Sequence, residues 1–232
     1  MNSSWIDIQS TNGDTFSGYL TLPPRGTGPG LVLIQEIWGV NEHIRTVADQ
    51  YALEGFVVLA PDVFWRQEQR VDLKYDEPGT QRAFELMNGL DQPKAIEDLV
   101  GAVNTLRSRD DVTGSVATVG YCMGGRLSFL TAVAGDVDAA VCYYPGGIQN
   151  VIDQADQTDT PLLFNFAGKD HMITQEVRDA VAAKVAQRDN VEIYLYADSD
   201  HGFNRWAGAP WNLHDAMLAR GRVLQFLSHH AL

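Results

Sequence analysis

Short, mostly apolar runs alternate with stretches of helical spacing along this chain, and that alternation restricts its fold more than any other feature. The runs are Leu31-Val32-Leu33-Ile34, Phe56–Ala60, Ser115–Gly120, Ala139–Tyr144, Leu162–Phe166 and Val191–Tyr196. Each is too short for a globular helix, and an apolar run without polar alternation is the mark of a strand buried on both faces. Between them, His43–Glu54, Ala83–Leu90, Lys94–Arg107, Met123–Val133, Thr174–Arg188 and His214–Leu227 read as helices. Gly55 suits the end of the first of these, and Pro93 suits the first turn of the third. Strands joined by helices require right-handed crossovers, which give an α/β class with a mostly parallel central sheet covered by helices on both faces. Trp5 to Leu22 alternates apolar and polar residues around Asn12-Gly13, so it is expected to add an N-terminal antiparallel hairpin at one edge. No repeat or linker divides the chain, and residues 1–232 read as one domain. A domain of this size buries roughly 70% of its unfolded surface and needs no disulfide or structural metal to fold.

Charge narrows the partners. The chain has 17 Lys and Arg against 30 Asp and Glu, a net charge of −13. Nucleic-acid binding rests on cations that neutralise phosphates, so no nucleic-acid partner is expected, nor an anionic membrane surface. A small anionic molecule stays compatible, because one local arginine outweighs the global field inside a pocket. The two cysteines, Cys122 and Cys142, make no disulfide framework. MNSSWIDIQS lacks the basic and apolar regions of a signal peptide, and no apolar run approaches the ~18 residues of a membrane span. A cytoplasmic monomer or small homo-oligomer is the expectation. Cys142 sits within a strand and reads as core.

The chemistry concentrates at Gly120-Tyr121-Cys122-Met123-Gly124, which runs from a strand directly into a helix. Glycines at both flanks remove side chains where the chain must turn sharply, leaving Cys122 strained and exposed at the sheet edge. The helix that starts near Met123 aims its free amides at the sulfur, which favours a thiolate and can hold an oxyanion. A nucleophile needs a base, and the base an orienting carboxylate. Asp170 follows the strand Leu162–Phe166 through a short loop, and His201 follows Val191–Tyr196. Both lie after strands, in the chain order nucleophile, acid, histidine. The rivals fit less well. His43 lies in a helix, His214 begins one, His229 and His230 form a polar tail, and His171 and Asp200 merely adjoin Asp170 and His201. No histidine pair has zinc spacing, so no metal is assigned.

Glu36 ends the strand at Leu31–Ile34, within Gln35-Glu36-Ile37-Trp38-Gly39-Val40-Asn41. That segment, with Gly120-Tyr121-Cys122-Met123-Gly124-Gly125 and the pair Asp170 and His201, resembles the dienelactone hydrolase family of the α/β-hydrolase fold. The resemblance extends to Ala60-Pro61-Asp62 and Tyr143-Tyr144, over nearly the whole chain. It implies a Cys122-His201-Asp170 triad, an oxyanion hole from the amides of Ile37 and Met123, and a Glu36 that bonds the resting thiol and moves when substrate binds. It also implies that Arg205, four residues after His201, grips a substrate carboxylate. A second arginine is expected from the helix at Ala83-Phe84-Glu85-Leu86, where Arg82 stands about one residue off the family's register. Phe84 and Met87 take the place of that helix's aromatic residues. The implied reaction is hydrolysis of an ester or lactone through a thioester, without a cofactor, as in the opening of a dienelactone. Two alternatives stand beside it: a carboxylesterase or thioesterase of broader specificity, and a non-catalytic, redox-responsive homologue in which Cys122 is a sensor thiol.

Overall fold

A computed structural model describes residues 2–135 and 137–232. Among these residues eight strands form one sheet: β1 (Asn2–Gln9), β2 (Thr15–Leu22), β3 (Gly28–Ile34), β4 (Val57–Pro61), β5 (Val112–Tyr121), β6 (Ala139–Tyr143), β7 (Leu162–Ala167) and β8 (Val191–Tyr196). Their spatial order is β1-β2-β4-β3-β5-β6-β7-β8. The hairpin β1–β2 joins the edge antiparallel to β4, while every pairing from β4 through to β8 is parallel. Helices α1 (Glu42–Leu53), α2 (Glu77–Asn88), α3 (Gln92–Arg107), α4 (Met123–Ala134), α5 (Gln175–Val185) and α6 (Leu213–His230) supply the crossovers and cover both faces of the sheet. Among the described residues no helix is long and apolar enough to cross a membrane.

Side-chain caps set where most helices begin. Asn41, Asp76, Asp91 and Asn212 each accept a backbone N–H from the first turn of α1, α2, α3 and α6. Helix α2 starts six residues before the Ala83 expected from apolar spacing. Its first turn, Glu77-Pro78-Gly79, is polar and carries no apolar period, but Asp76 and Pro78 are a competent start signal. Strand β5 likewise starts three residues early, because Val112 pairs with Gly28.

The core is thickest around β3, the second half of β5 from Val116, β6 and β7, whose side chains are almost all fully buried. Helix α4 is apolar on every side and buried along most of its length, as a helix enclosed by its surroundings should be. Two of its polar side chains are satisfied locally: Thr118 and Ser128 share a buried hydrogen bond of 2.8 Å, and Thr131 donates to Leu127 O. Cys142 is fully buried in β6, and burial pushes its thiol pKa up, as suits a core residue. Both cysteines are free thiols.

The register brings the strand ends to a common edge. Gly120 lies beside Ile34 on one flank and Cys142 on the other; Tyr143 pairs with Asn165, and Ala167 with Tyr196. The loops leaving β3, β5, β7 and β8 therefore emerge side by side. In open parallel sheets the crevice beyond the strand ends is where ligands bind.

Candidate active site

Cys122 occupies the one-residue turn between β5 and α4, with φ 56° and ψ −116°. That left-handed backbone costs an L-residue on the order of 1–3 kcal/mol and persists only where the surroundings impose it. Four hydrogen bonds impose it here. The Cys122 N–H donates to Tyr143 O at 3.0 Å, and its carbonyl accepts from Gly125, Arg126 and Gly146 at 3.0, 3.3 and 3.1 Å. The neighbouring glycines permit the turn for a steric reason. A Cβ on Gly120 would lie 1.9 Å from Gly124 O, and one on Gly124 would lie 2.4 Å from both Ile34 O and Gln35 O. Cys122 is 7% exposed, so the expected open position of the nucleophile is instead a nearly covered one, closed over by the loops that the four hydrogen bonds tie down.

Asp170, three residues beyond β7, is buried and splits its two oxygens. Oδ1 accepts the amides of Met172 and Ile173 at 2.8 and 3.1 Å, and Oδ2 meets His201 Nδ1 at 2.7 Å. Burial alone would raise this carboxyl, but the His201 bond and charge together with the two amides outweigh it and hold the pKa below the ordinary value. On His201, burial works against the charged ring. The Cys122 sulfur and Asp170 oppose it from the two sides and push the imidazole up to about 10. Nε2, the nitrogen turned toward Cys122, makes no hydrogen bond of good geometry among the described residues. Such contacts are commonly loose until a substrate is bound. Tyr144, itself at φ 32°, stands edge-on to the His201 ring at 5.0 Å and to Phe203 at 5.4 Å, which limits where the imidazole can swing.

On the β3 side, Glu36 is buried and lies among Arg205, Tyr75 and His201. Its Oε2 accepts from the Tyr75 hydroxyl at 3.5 Å, and its Oε1 stands 3.7 Å from Arg205 Nη1. Burial raises its pKa, and Arg205, His201 and Tyr75 only partly offset this. The Cys122 thiol is not among its partners, so the expected Glu36–thiol bond is replaced by this pairing with Arg205 and Tyr75. The physical reason is charge: a buried carboxyl gains more from a guanidinium than from a weakly polar S–H.

Arg205 is 8% exposed, and its guanidinium lies 4.6 Å from the Trp38 ring centre and 4.9 Å from that of Tyr75. It runs over Gly202 and Gly208, where a Cβ would come within 2.9 Å of Nη2 and 2.4 Å of Nε. Met123 opens α4, where the amide has no intrahelical acceptor, and Ile37 begins the turn after Glu36.

Two expectations are corrected. Arg82 points to the surface, where it bonds Glu68 and Glu85 at 2.8 Å each. Phe84 is 45% exposed on the same helix. The inward face of α2 is the row Gly79, Ala83 and Leu86 at helical spacing, which leaves Arg82 and Phe84 on the solvent side. Tyr75, by contrast, reaches Glu36 and Arg205 although its sequence neighbours mark only a polar loop. The segment is drawn in by a bridge between Gly39 and Asp72 and by Leu73 N–H donating to Trp38 O at 3.0 Å. His43 is also buried close by, 5.8 Å from the Trp206 ring and 6.3 Å from Tyr75; burial and the Arg205 charge hold it neutral, down to about 3.

A strained cysteine between strand and helix, a His–Asp pair from the next strand ends and a mostly parallel sheet in this order define a hydrolase of the α/β-hydrolase fold. The model of the dienelactone hydrolase family matches residues 16–231. The chain is 36% identical over 227 residues to a protein of Azospirillum brasilense provisionally named a carboxymethylenebutenolidase, covering 97% of this chain and 98% of that one. It is 31% identical over 229 residues to the carboxymethylenebutenolidase of Pseudomonas putida, covering 98% and 97%. A crystal structure of a provisionally assigned dienelactone hydrolase from Klebsiella pneumoniae superposes with a TM-score of 0.83 at 23% identity, over 99% of this chain and 100% of that one, a likeness of fold. The chain belongs to the dienelactone hydrolase family.

Proposed function

We propose that this enzyme hydrolyses a small ester or lactone through a covalent thioester on Cys122. The observation that carries the reading is the 2.7 Å bond from His201 to Asp170, with the opposite edge of the ring turned to a cysteine strained into the β5–α4 turn. A sensor thiol needs no oriented imidazole, and a buried structural cysteine needs no strained backbone.

As a thiolate, Cys122 attacks the carbonyl carbon. The carbonyl π electrons move onto oxygen, and the amides of Ile37 and Met123 hold that oxyanion. Collapse breaks the C–O bond to the alcohol, whose alkoxide takes the proton from His201 Nε2. In a lactone this alcohol stays tethered to the acyl group, so deacylation must outrun re-closure. Water then attacks the thioester, giving a proton to His201, and the C–S bond breaks to release the acid and restore the thiolate. Asp170 fixes the imidazole's tautomer throughout. Arg205 keeps Glu36 as counter-ion, which leaves Glu36 free of the sulfur, and its other N–H groups serve an anionic part of the substrate.

The test is Cys122→Ala against an aryl acetate and a small lactone, with mass spectrometry of the acid-quenched wild-type protein. Loss of turnover, together with an acyl adduct on Cys122 in the wild type, is the expected result. Retained turnover in the variant would overturn the reading. Relative rates across a panel of lactones and aryl esters separate a lactone-selective enzyme from a broad carboxylesterase.

A further inference from the structure

Arg126 lies in the first turns of α4, four residues after Cys122, and neither the fold nor the mechanism above uses it. Helical side chains lean toward the N-terminus of their helix, which here is the end that carries Cys122. The side chain lies across Gly147, whose φ is +82°; a Cβ there would fall 2.4 Å from Nη1 and 3.5 Å from Cδ and Cζ. The preceding residue, Gly146, borders the nucleophile itself, since a Cβ on it would sit 3.7 Å from Cys122 Sγ and from Met172 Cε. Two consecutive glycines thus stand between the sulfur and the guanidinium, the first beside Cys122 Sγ and the second beneath Arg126. A side chain at Gly147 would displace the arginine.

Its charge is unanswered. Arg45, Arg66, Arg107 and Arg109 each meet an aspartate at the surface, and Arg205 has Glu36. Arg126 is half-buried, meets no carboxylate among the described residues, and its buried Nε has no hydrogen-bond partner. Burial lowers its pKa, and the Cys122 sulfur is the one group whose charge works the other way. In a chain with 30 acidic residues, a half-buried guanidinium without a carboxylate is a desolvation cost that an arriving anion relieves. Arg82, bonded to Glu68 and Glu85 on the outer surface, cannot supply that contact.

We propose that Arg126 is a specificity-determining residue that receives a carboxylate carried by the acyl part of the substrate, across Gly146 and Gly147 from Cys122. The inference rests on the reading of Cys122 as the nucleophile. It assigns the enzyme to monoesters of dicarboxylic acids and lactones of hydroxy dicarboxylic acids: one carboxyl is the reacting ester and the other stays free. A guanidinium fork grips such a carboxylate through two parallel N–H bonds.

The experiment compares two aryl esters of equal chain length, a neutral p-nitrophenyl alkanoate and the mono-p-nitrophenyl ester of a dicarboxylic acid, with wild type, Arg126→Met and Arg126→Lys. The expected result is that the ratio of kcat/KM for the anionic over the neutral ester falls about tenfold or more in Arg126→Met, chiefly through KM, a loss of the size set by a charged hydrogen bond. Arg126→Lys should recover part of it. In parallel, the free dicarboxylate should protect Cys122 from iodoacetamide in wild type and lose that protection in Arg126→Met, a readout independent of turnover. An unchanged ratio in Arg126→Met overturns the proposal. So does an equal loss on both esters with a shifted pH profile of alkylation, which would make Arg126 a support for the thiolate. Either outcome leaves the nucleophile reading intact, whereas activity surviving Cys122→Ala removes that reading by itself.

Discussion

Gly120→Ala is the sharpest test of how the chain holds Cys122. An alanine Cβ at Gly120 would stand 1.9 Å from Gly124 O and 2.3 Å from Gly124 C, both backbone atoms. Real Cβ contacts essentially never fall under 3.0 Å, so β5 and the first turn of α4 must part by more than an ångström. No flexible side chain can absorb that shift, because Gly124 is itself held 2.4 Å (measured from its own imagined Cβ) from the carbonyls of Ile34 and Gln35. Overpacking of a core costs roughly 1–3 kcal/mol, and a backbone-on-backbone clash belongs at or above the top of that range. For a chain of this size about 3 kcal/mol lowers Tm by roughly 6–12 °C. Because Cys122 is the pivot of the displaced turn, a misplacement of about 1 Å should also cost on the order of 100-fold in kcat/KM of the folded protein. Gly146→Ala is the control for stability alone: it too borders Cys122, but its Cβ would sit in ordinary contact, 3.7 Å from Sγ, so its Tm should stay near wild type. Thermal melts followed by circular dichroism and aryl-ester kinetics read both variants. A Gly120→Ala protein that melts within about 2 °C of wild type, a shift worth under about 1 kcal/mol by the same scaling, and keeps its activity would refute the steric account of the turn.

Two further outcomes follow. The folded His201 pKa of about 10 lies above its ordinary 6.5, so its pairing contributes stability that is fully present below pH 6.5 and is lost as the pH rises through about 10. Cys122→Ala removes the sulfur's share and leaves Asp170 alone against burial. NMR titration of the imidazole should therefore place the variant's transition well below that of wild type, and coincident curves would show that the sulfur does not act on the ring. Arg82→Ala should leave kcat/KM within about twofold on neutral and anionic esters alike, as expected for an exposed cation bonded only to surface carboxylates; a selective loss on the anionic ester would put Arg82 back at the site.

Much of this architecture is written in local pattern. Apolar runs too short for helices and the helical stretches between them state a parallel sheet, because strand and helix periods are properties of a few consecutive residues. Cys122 is legible for the same reason: two glycines, a strand before and a helix after act within one turn of chain. Asp170 and His201 could be singled out because each follows a strand by only a few residues, and the register of β7 and β8 then carries them to one edge. Side-chain direction over longer reaches is a different matter. Helix α2 buries the small row Gly79, Ala83 and Leu86 and turns Arg82 and Phe84 outward, although Phe84 is its largest apolar side chain. Tyr75 joins Glu36 only because the loop before α2 is tied back across Gly39 and Trp38, a pairing between segments more than thirty residues apart. Glu36 turns to Arg205 because burial makes a guanidinium its best partner, and Arg126 lies unpaired beside Gly147 because packing brings it a glycine and no carboxylate. Local pattern along the chain was enough to specify the sheet, the strained cysteine and the residues available to serve it. Which charges meet is a matter of packing, since electrostatic pairing depends on distance and burial, and both exist only in the folded chain.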